Sequence, residues 1–442
     1  RRVLFRSRIA SATHHTLAPH RPTGYPAPMS FVDPIYLAFV ALVLAVYWPL
    51  AAHRRLQNAW LLVVSLAFYG WIHPWMVLLL LGSGLLDYLA ALGVDADQRR
   101  DLPGTRFLLL SVVGNIGTLC AFKYFHFFEA GFLAALESVG LQAHPTTLQV
   151  FLPVGLSFYT FQTLAYTIDV WRRQLPVRRD LLDFLVFVSF FPQLVAGPVE
   201  RASNLLAQVE TPRTLRPEQL QSGASLALFG AFKKVVIADT MAPYVNILYQ
   251  ADDPSWTMIW AAALGFTIQV LADFSGYTDM ARGTARLLGF ELMENFRHPY
   301  LASSPMDFWT RWHISFSTWL RDYVYLPSCF SPWVDRWIRL PFTGELSPFW
   351  VTTRALLLTM LLSGLWHGST ANYLLWGLYY ALIGTLWAAA LDRIPRKTRK
   401  SRDWRPLLVP LMFAHTLVGM MIFREPDRSE EHTSELQSPC NL

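Results

Sequence analysis

The sequence predicts an all-α fold: a polytopic helical membrane protein with about ten tilted, broken or re-entrant helices around a central intramembrane chamber. Three observations predict it. Of 442 residues, 53% are hydrophobic and only 15% charged, whereas soluble domains carry roughly 25% charged residues. Apolar stretches recur along almost the whole chain, many of them near or below the ~20 residues that a perpendicular crossing requires. Gly and Pro interrupt several of these stretches, and irregular backbone at membrane depth has to be buried in protein or line a cavity. A disordered chain, a coiled coil, a disulfide scaffold and an ordinary soluble enzyme are all excluded.

The ends read differently from the rest. Residues 1–7 (RRVLFRS) and 428–439 (RSEEHTSELQSP) match translations of one common sequencing-library adapter, read in opposite senses. Residues 1–28 are therefore expected to be adapter read-through and leader, with Met29 the expected start, and residues 428–442 an adapter-derived tail. Between them, 29–427 is expected to be a single membrane domain, truncated at its C-terminus. Without the ends the formal charge falls from +6 to +3, so the basic balance implies no nucleic-acid partner. Cys120 and Cys329 are far apart and Cys440 lies in the tail, which suggests neither a disulfide framework nor a zinc site.

Taken in order, the apolar stretches are 35–50, 59–72, 75–94 and 107–128, then 150–170, 181–199, 224–248, 256–272, 356–391 and 407–423. Pro153, Gly155, Pro192, Gly197 and Pro198 break the fifth and sixth, and Phe190–Pro198 is suited to lining a cavity. Basic clusters punctuate the loops. The densest, 393–405, holds seven Arg and Lys against one Asp, and such loops favour the cytoplasmic side.

The sharpest candidate is His367. Residues 356–391 contain no Asp, Glu, Lys or Arg, yet His367 stands among them in Ser363-Gly364-Leu365-Trp366-His367-Gly368-Ser369. An ionisable residue deep in an apolar span is a functional candidate by default, and burial favours the neutral imidazole that can act as a base. Gly364 and Gly368 leave room for a backbone or a ligand. The alternative is a histidine satisfied by a neighbouring carbonyl. A second candidate is 307–325 (DFWTRWHISFSTWLRDYVY), which reads as an amphipathic helix. Phe308, Trp312, Phe316, Trp319 and Tyr323 form an aromatic stripe, Arg311 lies on the polar face and His313 falls between. An interfacial anchor is the simpler reading for most of this segment. Asp273, Ser275, Gly276 and Asp279, at the end of an apolar helix, read as structural, with the Asp residues capping helices or pairing with Arg282 or Arg286. Asp95 and Asp97 resemble the acidic pair of metal-dependent glycosyltransferases, on three residues only. The sequence has no nucleophile elbow, phosphate-binding Gly loop or HExxH.

Together these segments resemble the membrane-bound O-acyltransferase superfamily, and within it the branch that acetylates exopolysaccharides such as alginate. FFPQLVAGPVERASNLLAQ, FKKVVIADTMAPYV, the run from Asp273 to Pro327 and SGLWHG carry the likeness by their order and spacing. The resemblance implies that His367 matches the family's catalytic histidine and His313 its second characteristic polar position. It implies an acyl thioester donor (acetyl-CoA or an acyl-carrier protein), no bound cofactor or metal, and a hydroxyl acceptor on a polysaccharide or an extracytoplasmic acetyltransferase-type partner protein. Trp366, Gly368, Trp312, Arg311 and Ser363 would shape the tunnel, and Pro198 would be structural. The implied location is a multi-pass protein of the bacterial cytoplasmic (inner) membrane, held by the lipid bilayer. Ser328–Pro332 and Tyr380 depart from the family pattern. A D-alanyl transferase acting on teichoic acid, a non-catalytic acyl conduit and a membrane glycosyltransferase are the competing readings.

Overall fold

The computed structural model describes residues 29–71, 73–141, 153–195, 197–330, 347–393 and 404–424. Every regular element among them is helical. Among the described residues, six helices are long and apolar enough to cross a membrane: α3 (Met76–Gln98), α4 (Thr105–Lys123), α10 (Trp256–Leu287), α14 (Pro348–His367), α15 (Ala371–Arg393) and α16 (Arg405–Phe423). The shorter ones are α1 (Pro34–Tyr47), α2 (Arg54–Gly70), α5 (Phe125–Ser138), α6 (Leu156–Trp171), α7 (Leu181–Ser189), α8 (Pro217–Phe232), α9 (Asp239–Tyr249), α11 (Pro305–Trp309), α12 (Ile314–Leu320) and α13 (Leu326–Phe330). The chain is a multi-pass membrane protein. Leu37, Leu78, Val113, Leu228 and Leu375 are exposed on its helices, as an apolar solvent permits.

Inside, α1, α2, α6 and α7 pack their aromatic residues with the C-terminal half of α10 into one core. The polar residues of these elements have partners. Asp87 on α3 accepts from Ser111 and Asn115 on α4 and from Thr167 on α6, all buried. This ties three helices together through buried side chains, the condition under which polar groups must pair. The seam between α8 and α10 is built from small residues. A Cβ on Gly230 would lie 2.5 Å from the Gly276 carbonyl oxygen, and one on Gly283 would lie 2.6 Å from the Gly223 carbonyl oxygen. Backbones meet there directly, as small residues allow in apolar surroundings.

Three sequence expectations change. The 356–391 stretch is not one span: α14 ends at His367 and α15 begins at Ala371, so the histidine stands at the bend of a helical hairpin. The 307–325 segment is not one amphipathic helix, and it is no surface anchor. It breaks between α11 and α12, and Phe308, Trp312, Phe316 and Trp319 are all buried. Asp273 and Asp279 lie within α10 rather than at its end, and they cap nothing. Asp273 pairs with Lys234 (2.7 Å), while Asp279 pairs with Lys233 (2.6 Å) and Arg282 (3.3 Å); Arg286 pairs with Glu291 instead. Most of the basic stretch 393–405, and both chain ends, lie outside the described residues.

Candidate active site

His367 is placed by the end of its helix. Gly364 and Gly368 have no room for a Cβ because Tyr373 of α15 fills the space, so the glycines admit the neighbouring helix. The last turn is held by Lys123 and Tyr124, which donate to the carbonyls of Trp366 and Leu365 respectively. A cation at the carbonyl end of a helix also matches its dipole. Around the imidazole stand Trp366 (4.6 Å between ring centroids), Phe423 (4.8 Å), Trp376 (5.2 Å) and Tyr373 (6.1 Å). Its Nδ1 is buried with no hydrogen-bond partner.

His313 is placed by its backbone. It sits in the left-handed region (φ 43°) immediately before α12, and the following residues are pinned. Ile314 N donates to the Asn295 carbonyl (3.0 Å), and Ser315 Oγ donates to Asn295 Oδ1 (2.6 Å). Ser315 Oγ in turn accepts from Val199 N (2.9 Å), the residue after buried Pro198. Phe274 of α10 meets the His313 ring edge-on at 4.7 Å and Phe316 lies 5.1 Å away. Burial lowers the pKa of His313 to about 3, so the ring is neutral. Its Nε2, like the Nδ1 of His367, has no partner.

The two histidines, 54 positions apart in sequence, share walls. Trp366 lies 6.1 Å from His313 and 4.6 Å from His367, and Phe316 lies 5.1 Å and 6.4 Å from them. Two buried imidazoles, each with a ring nitrogen that has no hydrogen-bond partner, in an aromatic enclosure, form a pair that in its neutral state can remove a proton and can donate to a developing oxyanion.

The other expected residues divide. Trp366 forms the shared wall and Gly368 the bend. Ser363 is buried one turn before His367 on the same helix. Trp312 packs on Phe308, Tyr300 and Phe296 behind His313. Arg311 is engaged elsewhere, by Asp307 (2.7 Å). Ser275 accepts from Lys233 (2.9 Å), in keeping with a structural place, and Gly276 lies in the helix seam. Asp95 and Asp97 are occupied by Arg99, Arg179 and Arg106. Sequence reasoning missed Lys123, Asn295, Ser315, Phe274 and Phe161. Of these only Lys123 carried a signal, as a lone cation within the 107–128 stretch.

Comparison with known proteins bears on this geometry. The model of the membrane-bound O-acyltransferase family matches residues 172–423. A protein of Pseudomonas syringae pv. tomato named "Probable alginate O-acetylase" is 37% identical over 90% of this chain and 72% of its own length. The peptidoglycan O-acetyltransferase of Helicobacter pylori is 30% identical over 80% of this chain and 69% of its own. The teichoic acid D-alanyltransferase of Bacillus subtilis is 28% identical over 61% of this chain and 68% of its own. The matched span contains both histidines, the helical bend that carries one and the pinned turn that carries the other, and the chain belongs to the membrane-bound O-acyltransferase family.

Proposed function

We propose that this protein moves an acetyl group from a thioester donor to a hydroxyl of an extracytoplasmic polysaccharide, directly or through a partner protein, across the bacterial cytoplasmic membrane. The pair of buried imidazoles on a common aromatic wall carries the reading. His367 takes the proton of the acceptor hydroxyl, and the oxygen attacks the thioester carbonyl carbon. His313 orients the acceptor or donates to the oxyanion. The carbon–sulfur bond then breaks and the thiolate leaves, taking the proton from His367. The products are an ester and a free thiol, with no covalent acyl-enzyme. Acetyl is favoured over D-alanyl because the likeness to the O-acetylases extends over more of the chain than that to the D-alanyltransferases.

The test is ester-linked acetyl on surface polysaccharide in a host lacking its own copy of the gene. His367→Ala and His367→Gln, at matched membrane protein levels, are each expected to lower it by at least about 100-fold, the scale of a lost general base. Persistent acetylation with either variant would make His367 a packing residue. Purified protein that transfers nothing until a partner is added, with His367 replaceable, would instead support an acyl conduit.

A further inference from the structure

Two indole nitrogens beside His367 are buried without a hydrogen-bond partner, Trp366 Nε1 and Trp376 Nε1. Their residues are only 6% and 3% exposed. An indole can donate but not accept, and a buried one ordinarily finds an acceptor. A donor left without one is costly. Both rings meet the His367 imidazole edge-on, with centroids 4.6 Å and 5.2 Å from it and interplanar angles of 67° and 79°. His367 Nδ1 is itself unpartnered. One imidazole nitrogen and two donors are therefore all unsatisfied around the same residue.

The fold fixes both rings. Trp366 is the penultimate residue of α14 and Trp376 lies in the second turn of α15, so the two arms of the hairpin supply one each. These arms touch backbone to backbone. A Cβ on Gly364 would lie 2.2 Å from the Tyr373 carbonyl oxygen, and one on Gly377 would lie 2.3 Å from the Met360 carbonyl oxygen. Phe316 packs on Trp366 at 4.2 Å, and Tyr380 and Phe423 pack on Trp376 at 5.1 Å and 5.5 Å. Other donors nearby are engaged within the fold: Lys123 by the Trp366 carbonyl, Asn372 Nδ2 by the Phe423 carbonyl (3.2 Å) and Gly368 N by the Gly364 carbonyl (3.4 Å). The indoles are preset donors with nothing in the protein to receive them.

We propose that the indole N–H groups of Trp366 and Trp376 donate to the thioester carbonyl oxygen, which makes these two tryptophans catalytic residues that stabilise the oxyanion. The inference rests on the acyl-transfer reading above. As the acceptor oxygen bonds to the carbonyl carbon, the π pair of the carbonyl moves onto its oxygen, where the two fixed donors receive it without reorganising. The pair returns when the carbon–sulfur bond breaks, and the thiolate leaves with the proton from His367. Groups that donate and cannot accept suit an oxygen that accepts and has no proton to give. His313 is left to orient the acceptor hydroxyl.

The test removes the N–H and keeps the ring, in the full-length protein and in a host lacking its own copy of the gene. The initial rate of polysaccharide acetylation is read at matched membrane protein levels. Benzothienylalanine introduced at position 366 or 376 keeps both fused rings and exchanges the N–H for sulfur, so packing survives where Trp366→Phe or Trp376→Phe fails to fold. At each position it is expected to lower the rate by about 100-fold or more, the scale of one lost oxyanion donor. Fluorotryptophan at the same position keeps the N–H and should restore the rate to within about threefold of wild type. A rate indifferent to benzothienylalanine at either position, or an equal loss with both analogues, overturns the two-donor assignment and makes the ring a packing element. His367→Ala separates the two readings. If it abolishes transfer while benzothienylalanine is tolerated, the acyl-transfer reading stands and the role of the indoles falls. Acetyl transfer that survives His367→Ala sinks the acyl-transfer mechanism, whatever the indole variants do.

Discussion

Asn295 is buried and accepts from both the main chain and the hydroxyl of Ser315, and through them it fixes the turn carrying His313. A histidine with positive φ costs of order 1–3 kcal/mol and persists only where its surroundings over-determine it. Asn295→Ala is accordingly expected to cost about 1–3 kcal/mol of stability and to lower kcat by about tenfold with little change in KM, read from steady-state acetyl transfer. Asn295→Asp, which keeps the acceptor, should restore much of that rate. Glu200 gives a second prediction. It is buried, and burial pushes its pKa up to about 7 against the opposing hydrogen bonds from Met293 N and Asn204. The unfolded chain releases this proton near its usual 4.5, whereas the native state keeps it. Glu200 therefore disfavours folding progressively as pH rises from about 4.5 through 7, by roughly 3 kcal/mol in all. Glu200→Gln should flatten the fall in thermal midpoint between about pH 5 and pH 8. His367 was legible because nothing else ionisable shares its apolar stretch. Asn295 and Lys123 were not, because their roles come from partners 20 and 243 positions away, which no local pattern encodes.

The α8–α10 seam joins backbone contact to charge. Lys234 bridges Asp239 and Asp273, both at 2.7 Å, just beyond the point where Gly230 meets Gly276. Removing one member of a poorly solvated pair strands the other, at about 3–5 kcal/mol, whereas replacing both is far milder. Lys234→Met should therefore lower the yield of folded protein sharply, and adding Asp273→Leu should recover part of it, as detergent-solubilised monodisperse protein would reveal. An unaltered yield in Lys234→Met would show that the network is surface decoration. At this scale the sequence reading found the apolar segments and the break within 181–199, but not the breaks at 310–313 and after His367. A stripe of aromatic residues at helical spacing continues across 310–313 although the helix does not, because the interruption is set by the tertiary pinning of one backbone turn. The bend at His367 was masked similarly, since apolar residues continue on both sides of it.

At the scale of the whole molecule, Arg54, Arg55, Arg106, Arg178 and Arg179 gather at one end, each bound to a carboxylate. Asp95 and Asp97 belong to this group and are occupied by arginines, so Asp95→Asn with Asp97→Asn is expected to leave acetylation within about twofold of wild type at matched protein levels. A loss of transfer at normal protein level would revive a role for those carboxylates in the reaction. Arg106 and Arg179 carry a further expectation: cysteines placed there should react with a membrane-impermeant thiol reagent only after the cytoplasmic side is opened, and labelling of intact cells would reverse the orientation. The membrane class was legible from composition alone. The pairing of helices was not, because it depends on contacts between distant segments.

The rings around His367 come from α14, α15 and α16, with Phe423 the furthest along the chain, and Asn372 Nδ2 donates to the Phe423 carbonyl (3.2 Å). On the ribosome the order is the reverse of importance. Lys123, Phe161 and His313 are made early, His367 follows, and the residue that closes its enclosure emerges more than fifty positions later. Until then the imidazole lies open on the side that Phe423 covers. On the mechanism proposed above, a chain that stops short of Phe423 is expected to transfer no acyl group, because the ring that closes this side of the enclosure has not yet docked.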